Sequence, residues 1–573
     1  MGLSRVLILD GYTDEPAGFG VPPYIDVYPR YIAGALWLVD PGIVVHYVTV
    51  DEARRDLEGF LERANSYDLV VFIAGAIVPG KYIGGEPIRL EELKSWPAML
   101  ERPFKVLVGP AARWGIGNEG GSIAVLPREV KSSFDAVVTG DVEAYFYEAA
   151  RHGVEHAEEW RVLDDLELTG KAAVKGARIV RQHPNHGYNL IAEIETYRGC
   201  ARWITGGCSF CATRLYGRPR QRTPLSVVRE VEALYLEGVR HFRIGRQADI
   251  IVYGSRELGE EEWPKPEPEM LRRLFHGLRM VAPGLETLHI DNVNPGTLVR
   301  HREESVEALK TIIKYHTPGD VAALGIETAD PRVVKINNLK TMPDESLEAV
   351  RLVNRVGNKP SPLGLPELLP GINFVLGLPG ETSETYRLNL EFLERIYEEG
   401  LLVRRINVRK VLVLPGTRLV KEKVLERLRR HERLAKIFRR EVMRYSRMFL
   451  ERLLPRGSIL CCVYVEKYSE SLGVTFARQA GSYPVVVELP CKLPRRMLKR
   501  VFIYDVSARS VRGLPLPLNA NTTPLTLLSR VLGRTLALRI AGSRPLKTEE
   551  ELQKILGEKG GESLVSLNGF SCK

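Results

Sequence analysis

Three cysteines lie close together in Gly199-Cys200-Ala201-Arg202-Trp203-Ile204-Thr205-Gly206-Gly207-Cys208-Ser209-Phe210-Cys211. Thiolates this close converge on one metal centre. Three sulfurs suit a cubane iron–sulfur cluster whose fourth iron stays free to bind a small chelating ligand. The competing reading is structural zinc, which wants a fourth Cys or His. No His lies inside the loop, and no Cys-x-x-Cys partner occurs elsewhere in the chain. The other four cysteines, Cys461, Cys462, Cys491 and Cys572, are scattered, and Cys461-Cys462 sits in an apolar run that reads as strand packing.

Such a centre needs a frame. The chain has 573 residues, 44% hydrophobic and 27% charged, which is ordinary for a globular protein with several cores. No stretch has the length of a membrane span and the N-terminus lacks a signal pattern, so the expected location is cytoplasmic, where thiols stay reduced. The net charge of +10 points to a polyanionic partner.

Residues 1–150 read as an α/β unit. Apolar runs at 6–9, 44–50, 69–74, 106–108 and 136–138 alternate with helical stretches, the pattern of a parallel sheet covered on both faces. Ligands of such sheets sit at the carboxyl ends of strands, here Asp10-Gly11-Tyr12, Gly75-Ala76, Gly109-Pro110 and Gly140-Asp141. Residues 151–190 read as a connector, with His183-Pro184-Asn185-His186 as a turn. Residues 191–420 show strand–helix units, with strands expected at 191–197, 241–246, 287–292, 321–328, 372–377 and 406–414. Six such units make a partial parallel barrel, whose active site belongs at the carboxyl ends of its strands.

Those ends carry Gly245-Arg246-Gln247-Ala248-Asp249, Asp291-Asn292-Val293-Asn294, Gly325-Ile326-Glu327-Thr328, Gly377-Leu378-Pro379-Gly380-Glu381-Thr382 and Pro415-Gly416-Thr417. With the cysteines, and with Lys335-Ile336-Asn337-Asn338 after Gly-Ile-Glu, this order resembles the radical S-adenosylmethionine (radical SAM) superfamily. The first gap departs from the family, with seven residues in place of the usual three. Gly206-Gly207 would let the longer loop fold back.

The resemblance implies a [4Fe-4S] cluster on Cys200, Cys208 and Cys211, with S-adenosylmethionine on the open iron. One electron would cleave the cofactor to a 5′-deoxyadenosyl radical that abstracts hydrogen from a substrate. It further implies Phe210 beside the adenine, and Gly245, Arg246 and Gln247 near the methionine end. Asn292 and Gly377 fall at cofactor-facing strand ends, and Glu327 would accept from the ribose. Arg246 bridging to Asp249, and Glu327 bracing the barrel, are the structural alternatives. An electron donor such as ferredoxin or flavodoxin would serve the cluster.

The N-terminal unit resembles the cobalamin-binding-type domain that precedes many such barrels. The Asp-x-His-x-x-Gly motif is missing, so a sheet without cofactor stands beside cobalamin as a reading.

A basic helical stretch at 421–456 carries interspersed Glu, which reads as a solvated face. Short strands at 459–466, 473–476, 484–489 and 501–506 predict a small antiparallel barrel across 457–518, resembling the TRAM domain that binds tRNA. Arg478, Arg509 and Arg512 are its candidate phosphate contacts. Residues 519–573 resemble paired helix-hairpin-helix units, with Gly533 at the turn. The whole order resembles an archaeal radical SAM group with this N- and C-terminal pair. The expected partner is RNA, tRNA in particular, and cofactor cleavage is expected to survive removal of everything from Gly457. A nucleic-acid-binding protein with a structural iron–sulfur or zinc site is the alternative function.

Overall fold

The computed structural model describes residues 2–11, 23–75, 87–117, 120–557 and 564–570. The first strands are β1 (Arg5–Asp10), β2 (Tyr24–Ile25), β3 (Val44–Thr49), β4 (Leu69–Ile73), β5 (Phe104–Val108) and β6 (Ala136–Val137). Five of them form one parallel sheet in the order β3-β1-β4-β5-β6. β4 is buried along its whole length, as expected for a strand covered on both faces. All five strands expected from the apolar runs are present.

β2 does not join that sheet. It pairs in parallel with β7 (Ile191–Ile194), the first strand of the central parallel barrel. The helix Val27–Val39 that follows is buried nearly all round, so it is an interior element between the two units. Its Arg30 is fully buried against Glu230 at 2.8 Å.

The expected connector holds a structural helix, Glu167–Lys175. Its buried positions are Thr169, Gly170, Ala172 and Ala173, and a Cβ on Gly34 would sit 1.8 Å from the Ala172 carbonyl. Small residues let two backbones meet, and that leaves no large apolar stripe for sequence reading to find. His183-Pro184-Asn185-His186 is the expected turn, with the His183 ring buried and the Asn185 amide donating to its Nδ1 at 3.0 Å.

Two short strands, β8 (Tyr197–Arg198) and β9 (Arg220–Gln221), then pair antiparallel across the base of the cysteine loop. The barrel continues with β10 (His241–Ile244), β11 (Thr287–Ile290), β12 (Asn292–Val293), β13 (Asp320–Glu327), β14 (Leu368–Leu376) and β15 (Arg405–Lys410). The described strands run β2-β7-β10-β11 and then β12-β13-β14-β15, all parallel, joined through Asp291. All six expected barrel strands are present, with bounds shifted by a few residues.

Glu193, Arg243 and His289 stand in register on β7, β10 and β11, while their neighbours Ala192, Phe242 and Leu288 belong to the apolar core. The barrel interior is therefore polar. Arg243 meets Glu193 at 2.6 Å, and Tyr24 donates to the same carboxylate at 2.9 Å.

Beyond the amphipathic helix Glu432–Leu453 come β16 (Ile459–Ser469), β17 (Val474–Gln479), β18 (Val486–Leu489), β19 (Met497–Val506) and β20 (Ser510–Pro515), closed as a barrel in the order β16-β17-β18-β20-β19. The expected all-antiparallel pattern is corrected at one seam, because β18 and β20 pair in parallel. Helices Leu525–Leu532 and Arg534–Gly542 meet at Gly533 (φ 80°), as expected, and helix Glu549–Leu556 follows. Gly560, Gly561 and Cys572 lie outside the described residues.

The small barrel is seated on the amino end of the central parallel barrel. Its 480–484 loop enters that end: the Ser482 amide donates to His289 Nδ1 at 3.1 Å, and the Tyr483 hydroxyl donates to Asp291. Tyr188 donates to the Val465 carbonyl, and Asn189 to Glu466, both at 2.8 Å.

Candidate active site

At the opposite end of the barrel a cavity of about 180 Å³ opens among the strand ends. Cys200, Cys208 and Cys211 line it together with Phe210, Asp249, Asn292, Glu327 and Lys340. The loop that presents the cysteines leaves the β8–β9 pair at Gly199 and folds back at Gly206 and Gly207, with φ of 77° and 56°. The left-handed region favours glycine, so this is the fold-back expected of the seven-residue gap.

Other segments pin the loop. The Ser209 amide donates to the Asn337 carbonyl at 3.0 Å, and Ser209 Oγ donates to Asn337 Oδ1 at 2.6 Å. Asn338 Nδ2 donates to the Gly207 carbonyl at 3.1 Å, as does Arg418 at 2.5 Å. The Asn337-Asn338 pair, conspicuous in the sequence without an assigned task, is thus the brace of the cysteine loop.

The extra residues in the gap place Arg202 against the site. Its guanidinium donates to Cys208 Sγ at 3.3 Å, to Glu262 at 2.9 Å and to Asn338 Oδ1 at 3.0 Å. Lys340 donates to the Gly325 carbonyl at 3.0 Å and lies 3.4 Å from Glu327. Glu327 itself has φ 68° at a bulge that ends β13. A non-glycine residue in that region is strained, and such strain clusters at functional sites.

The electrostatics follow from burial. Burial, and then Cys211, push the Cys200 thiol up to about 12. Burial raises Cys208 as well, against the opposing charges of Lys340 and Arg202. Burial would strip the proton from Lys340, but Glu327, Cys208 and Cys211 overcome it and hold the amine above the ordinary lysine value. Asp249 is pushed up to about 6 by burial, despite accepting from Thr297 Oγ1 and the Asn294 and Ile251 amides. Cys200 and Cys208 therefore need added positive charge before they ionise, which a bound metal centre supplies. Three soft donors on one cavity, backed by two cations, fit a three-cysteine cluster.

Of the residues expected near the cofactors, Phe210, Asn292 and Glu327 line the cavity and Gly245, Arg246, Gln247 and Gly377 do not. Arg246 bridges neither to Asp249 nor into the cavity; it lies 3.4 Å from Asp26 and donates to the Tyr28 hydroxyl at 2.9 Å. Gln247 is buried, donating to the Ile244 carbonyl and accepting from Thr196. Gly377 donates its amide to Glu381 at 2.6 Å, and a Cβ there would lie 2.8 Å from Leu428, so it closes a turn. Arg202, Asp249 and Lys340 were not foreseen in the site. Asp249 was visible in a strand-end signature and Arg202 within the cysteine loop, whereas Lys340 reaches the site only through tertiary folding.

Below the loop, Arg198 on β8 meets Asp141 at 2.6 Å, Glu195 at 2.7 Å and Glu143 at 3.2 Å, and Arg220 meets Asp141 at 2.7 Å. Against its burial, these arginines hold Asp141 well below the usual carboxylate range. Asp141, expected at a ligand-binding strand end, instead ties the N-terminal unit to the cysteine strand. Of the other strand ends, Asp10 accepts from Tyr47 at 2.7 Å, and Tyr12 and Ala76 lie outside the described residues.

A sequence profile of the radical SAM superfamily matches residues 194–393, from β7 into the helix after β14. Residues 194–393 are a radical SAM superfamily domain. An uncharacterized protein of Methanocaldococcus jannaschii is 42% identical over 523 residues, 90% of this chain and 93% of the relative. One from Archaeoglobus fulgidus is 40% identical over 565 residues, 98% of this chain and 99% of the relative. The ribosomal protein uS12 methylthiotransferase RimO of Thermotoga maritima is 23% identical over 279 residues, 47% of this chain and 58% of that enzyme. Among solved structures, the radical S-adenosylmethionine methyltransferase TsrM from Kitasatospora setae, with cobalamin and a [4Fe-4S] cluster bound, aligns with a TM-score of 0.48. Its identity is 16%, over 73% of this chain and 77% of TsrM.

Proposed function

We propose that the protein is a radical SAM enzyme that cleaves S-adenosylmethionine in the cysteine cavity and modifies RNA, tRNA in particular. The observation that carries the catalytic part is the meeting of Cys200, Cys208 and Cys211 on one cavity at the carboxyl ends of a parallel partial barrel. When bound, a [4Fe-4S] cluster supplies the electron that breaks a carbon–sulfur bond of S-adenosylmethionine. Cys200, Cys208 and Cys211 would hold the cluster. Arg202 and Lys340 offset thiolate charge. Glu327, Asn292 and Asp249 offer polar contacts for the amino-acid and ribose groups, and Phe210 offers an apolar face for the adenine. Buried walls around these groups exclude water and competing hydrogen donors.

The RNA part is supported by the net charge of +10 and by the basic outer faces of helices Lys421–Arg430 and Glu432–Leu453. On those faces several arginines pair with glutamates one turn away, including Arg430–Glu426 and Arg447–Glu451. Arg478 no longer contributes to this reading, because it is buried against Glu466 at 2.9 Å.

Anaerobic reconstitution with iron and sulfide, followed by incubation with S-adenosylmethionine, dithionite and total archaeal RNA, tests both parts. 5′-Deoxyadenosine in the supernatant supports the catalytic part, and a mass shift in digested nucleosides supports the RNA part. A reconstituted protein that leaves S-adenosylmethionine intact would overturn the enzyme reading in favour of a structural cluster.

A further inference from the structure

The last strand of the catalytic barrel, β15, has an open edge, and a second cavity of about 90 Å³ lies against it. That is several times the roughly 10–15 Å³ one water needs. Three elements build its walls. The start of β15 gives Arg404 and Arg405, helix Glu432–Leu453 gives Ser446, and the small barrel gives Tyr483 and Arg509. No Asp or Glu lines it.

Several buried arginines meet carboxylates: Arg30 has Glu230, Arg198 has Asp141, Arg243 has Glu193 and Arg478 has Glu466. The half-buried Arg404 has no such carboxylate among the described residues. Its Nη2 donates to the Tyr483 carbonyl at 2.7 Å, while its Nε is buried with no acceptor among the described residues. Arg405 stacks on the Tyr483 ring at 3.8 Å, holding a second guanidinium beside the first. Burial, and then the charge of Arg405, pull Arg404 down to about 10. Arg404 and Arg509 bring positive charge to the cavity from two elements, and no Asp or Glu lines it.

We propose that this cavity is an anion site that takes a phosphate group, with Arg404 and Arg509 as its charged donors and the Ser446 hydroxyl as a neutral one. Guanidinium groups from separate elements match the several oxygens of a phosphate, and arginine recognises that geometry in bidentate fashion. A carboxylate presents fewer oxygens and less charge to the same donors. The site is distinct from the cysteine cavity, since Arg404 and Arg405 stand at the amino end of β15 and the cysteines at the carboxyl ends. Six residues of strand separate the two ends by roughly 20 Å. The proposal does not depend on the reaction in the cysteine cavity.

Isothermal titration of the full chain with inorganic phosphate, at fixed ionic strength, tests the site. Saturable binding is expected in the wild type and in Arg395→Gln, an exposed arginine paired with Asp344. At least tenfold weaker binding is expected in Arg509→Gln and Arg404→Gln. Arg509 is exposed, so its variant reports on the site even where Arg404→Gln lowers the melting temperature. A parallel titration uses a 5′-phosphorylated oligoribonucleotide of about ten residues. A tenfold loss seen with the oligoribonucleotide alone assigns the phosphate to a nucleic-acid backbone, and a loss seen with free phosphate alone assigns it to a small phosphorylated molecule. Unchanged affinity of Arg509→Gln for both probes, or no saturable binding of either, overturns the proposal.

Discussion

The two ends of the catalytic barrel are built by opposite strategies. At the carboxyl end a short stretch of chain carries the reactive groups, and distant residues such as Asn337, Asn338 and Arg418 brace it. At the amino end nothing local closes the barrel. A loop from a domain nearly two hundred residues further along enters it, with Ser482 on His289 and Tyr483 on Asp291. The first end is chemistry held by scaffold; the second is scaffold completed by a neighbour. Asp291 directly precedes Asn292, which lines the cysteine cavity, so the tip of the entering loop reaches through the barrel to within one residue of that cavity.

The largest effect should come from breaking the first end. Cys208→Ala is expected to abolish cluster colour, bound iron and 5′-deoxyadenosine formation, while Cys461→Ala keeps all three. Iron analysis and chromatography check this, and a Cys461 variant without iron would contradict the assignment.

Removing everything from Gly457 breaks the second end. The sequence alone suggested that cofactor cleavage would survive, but the seated loop removes the ground for that expectation. Truncation strips partners from buried His289 and Asp291 and uncovers Leu365, Leu369, Leu450 and Leu453. Aggregation or loss of cofactor cleavage is expected. A soluble fragment with wild-type iron content and cleavage would show the ends to be independent.

A finer cut at the same end is Tyr483→Phe, which takes one donor from Asp291 and is expected to cost about 1.5–3 kcal/mol in denaturant titration. A destabilisation within error would mean that the plug acts by shape alone.

At the cysteine end, Arg202→Gln should leave iron content intact and make the cluster harder to reduce, because hydrogen bonds to sulfur and local charge set such potentials. A redox titration followed by electron paramagnetic resonance reads the shift, and an unchanged potential would reduce Arg202 to a loop brace.

The smallest effect concerns pH. Burial lowers His241, under the small barrel, from 6.5 to about 4. Its contribution to stability is complete above pH 6.5 and is lost as pH falls toward 4, since the unfolded chain takes the proton first. Melting temperatures from pH 8 to 4 should fall more steeply in the wild type than in His241→Gln. Parallel curves would place the acid sensitivity elsewhere, for instance at His183, which burial lowers to about 3.

Much of this was legible because it is local. Apolar runs announced the strands, and the cysteines with Phe210, Asn292 and Glu327 announced the cavity. What escaped was long-range or unpatterned. β2 is two residues long and pairs far away, and helix Glu167–Lys175 packs through Gly and Ala. Arg246 was read toward the cofactor, yet Asp26 and Tyr28, from a segment with no visible tie to the barrel, take it first. Arg478 read as a surface cation because the carboxylate that buries it, Glu466, sits on the partner strand β16.

The strand Tyr24–Ile25 has a consequence for how the chain comes into being. Tyr24 bonds Glu193 across 169 residues of sequence. A ribosome adding about 5–20 residues per second needs on the order of 10–30 s to span that distance. Through that interval the early segment waits without its partner, although the sheet strands around it are already made. The N-terminal unit therefore cannot finish folding ahead of the catalytic barrel, and a cut between 151 and 190 should yield two fragments that need each other in the same tube.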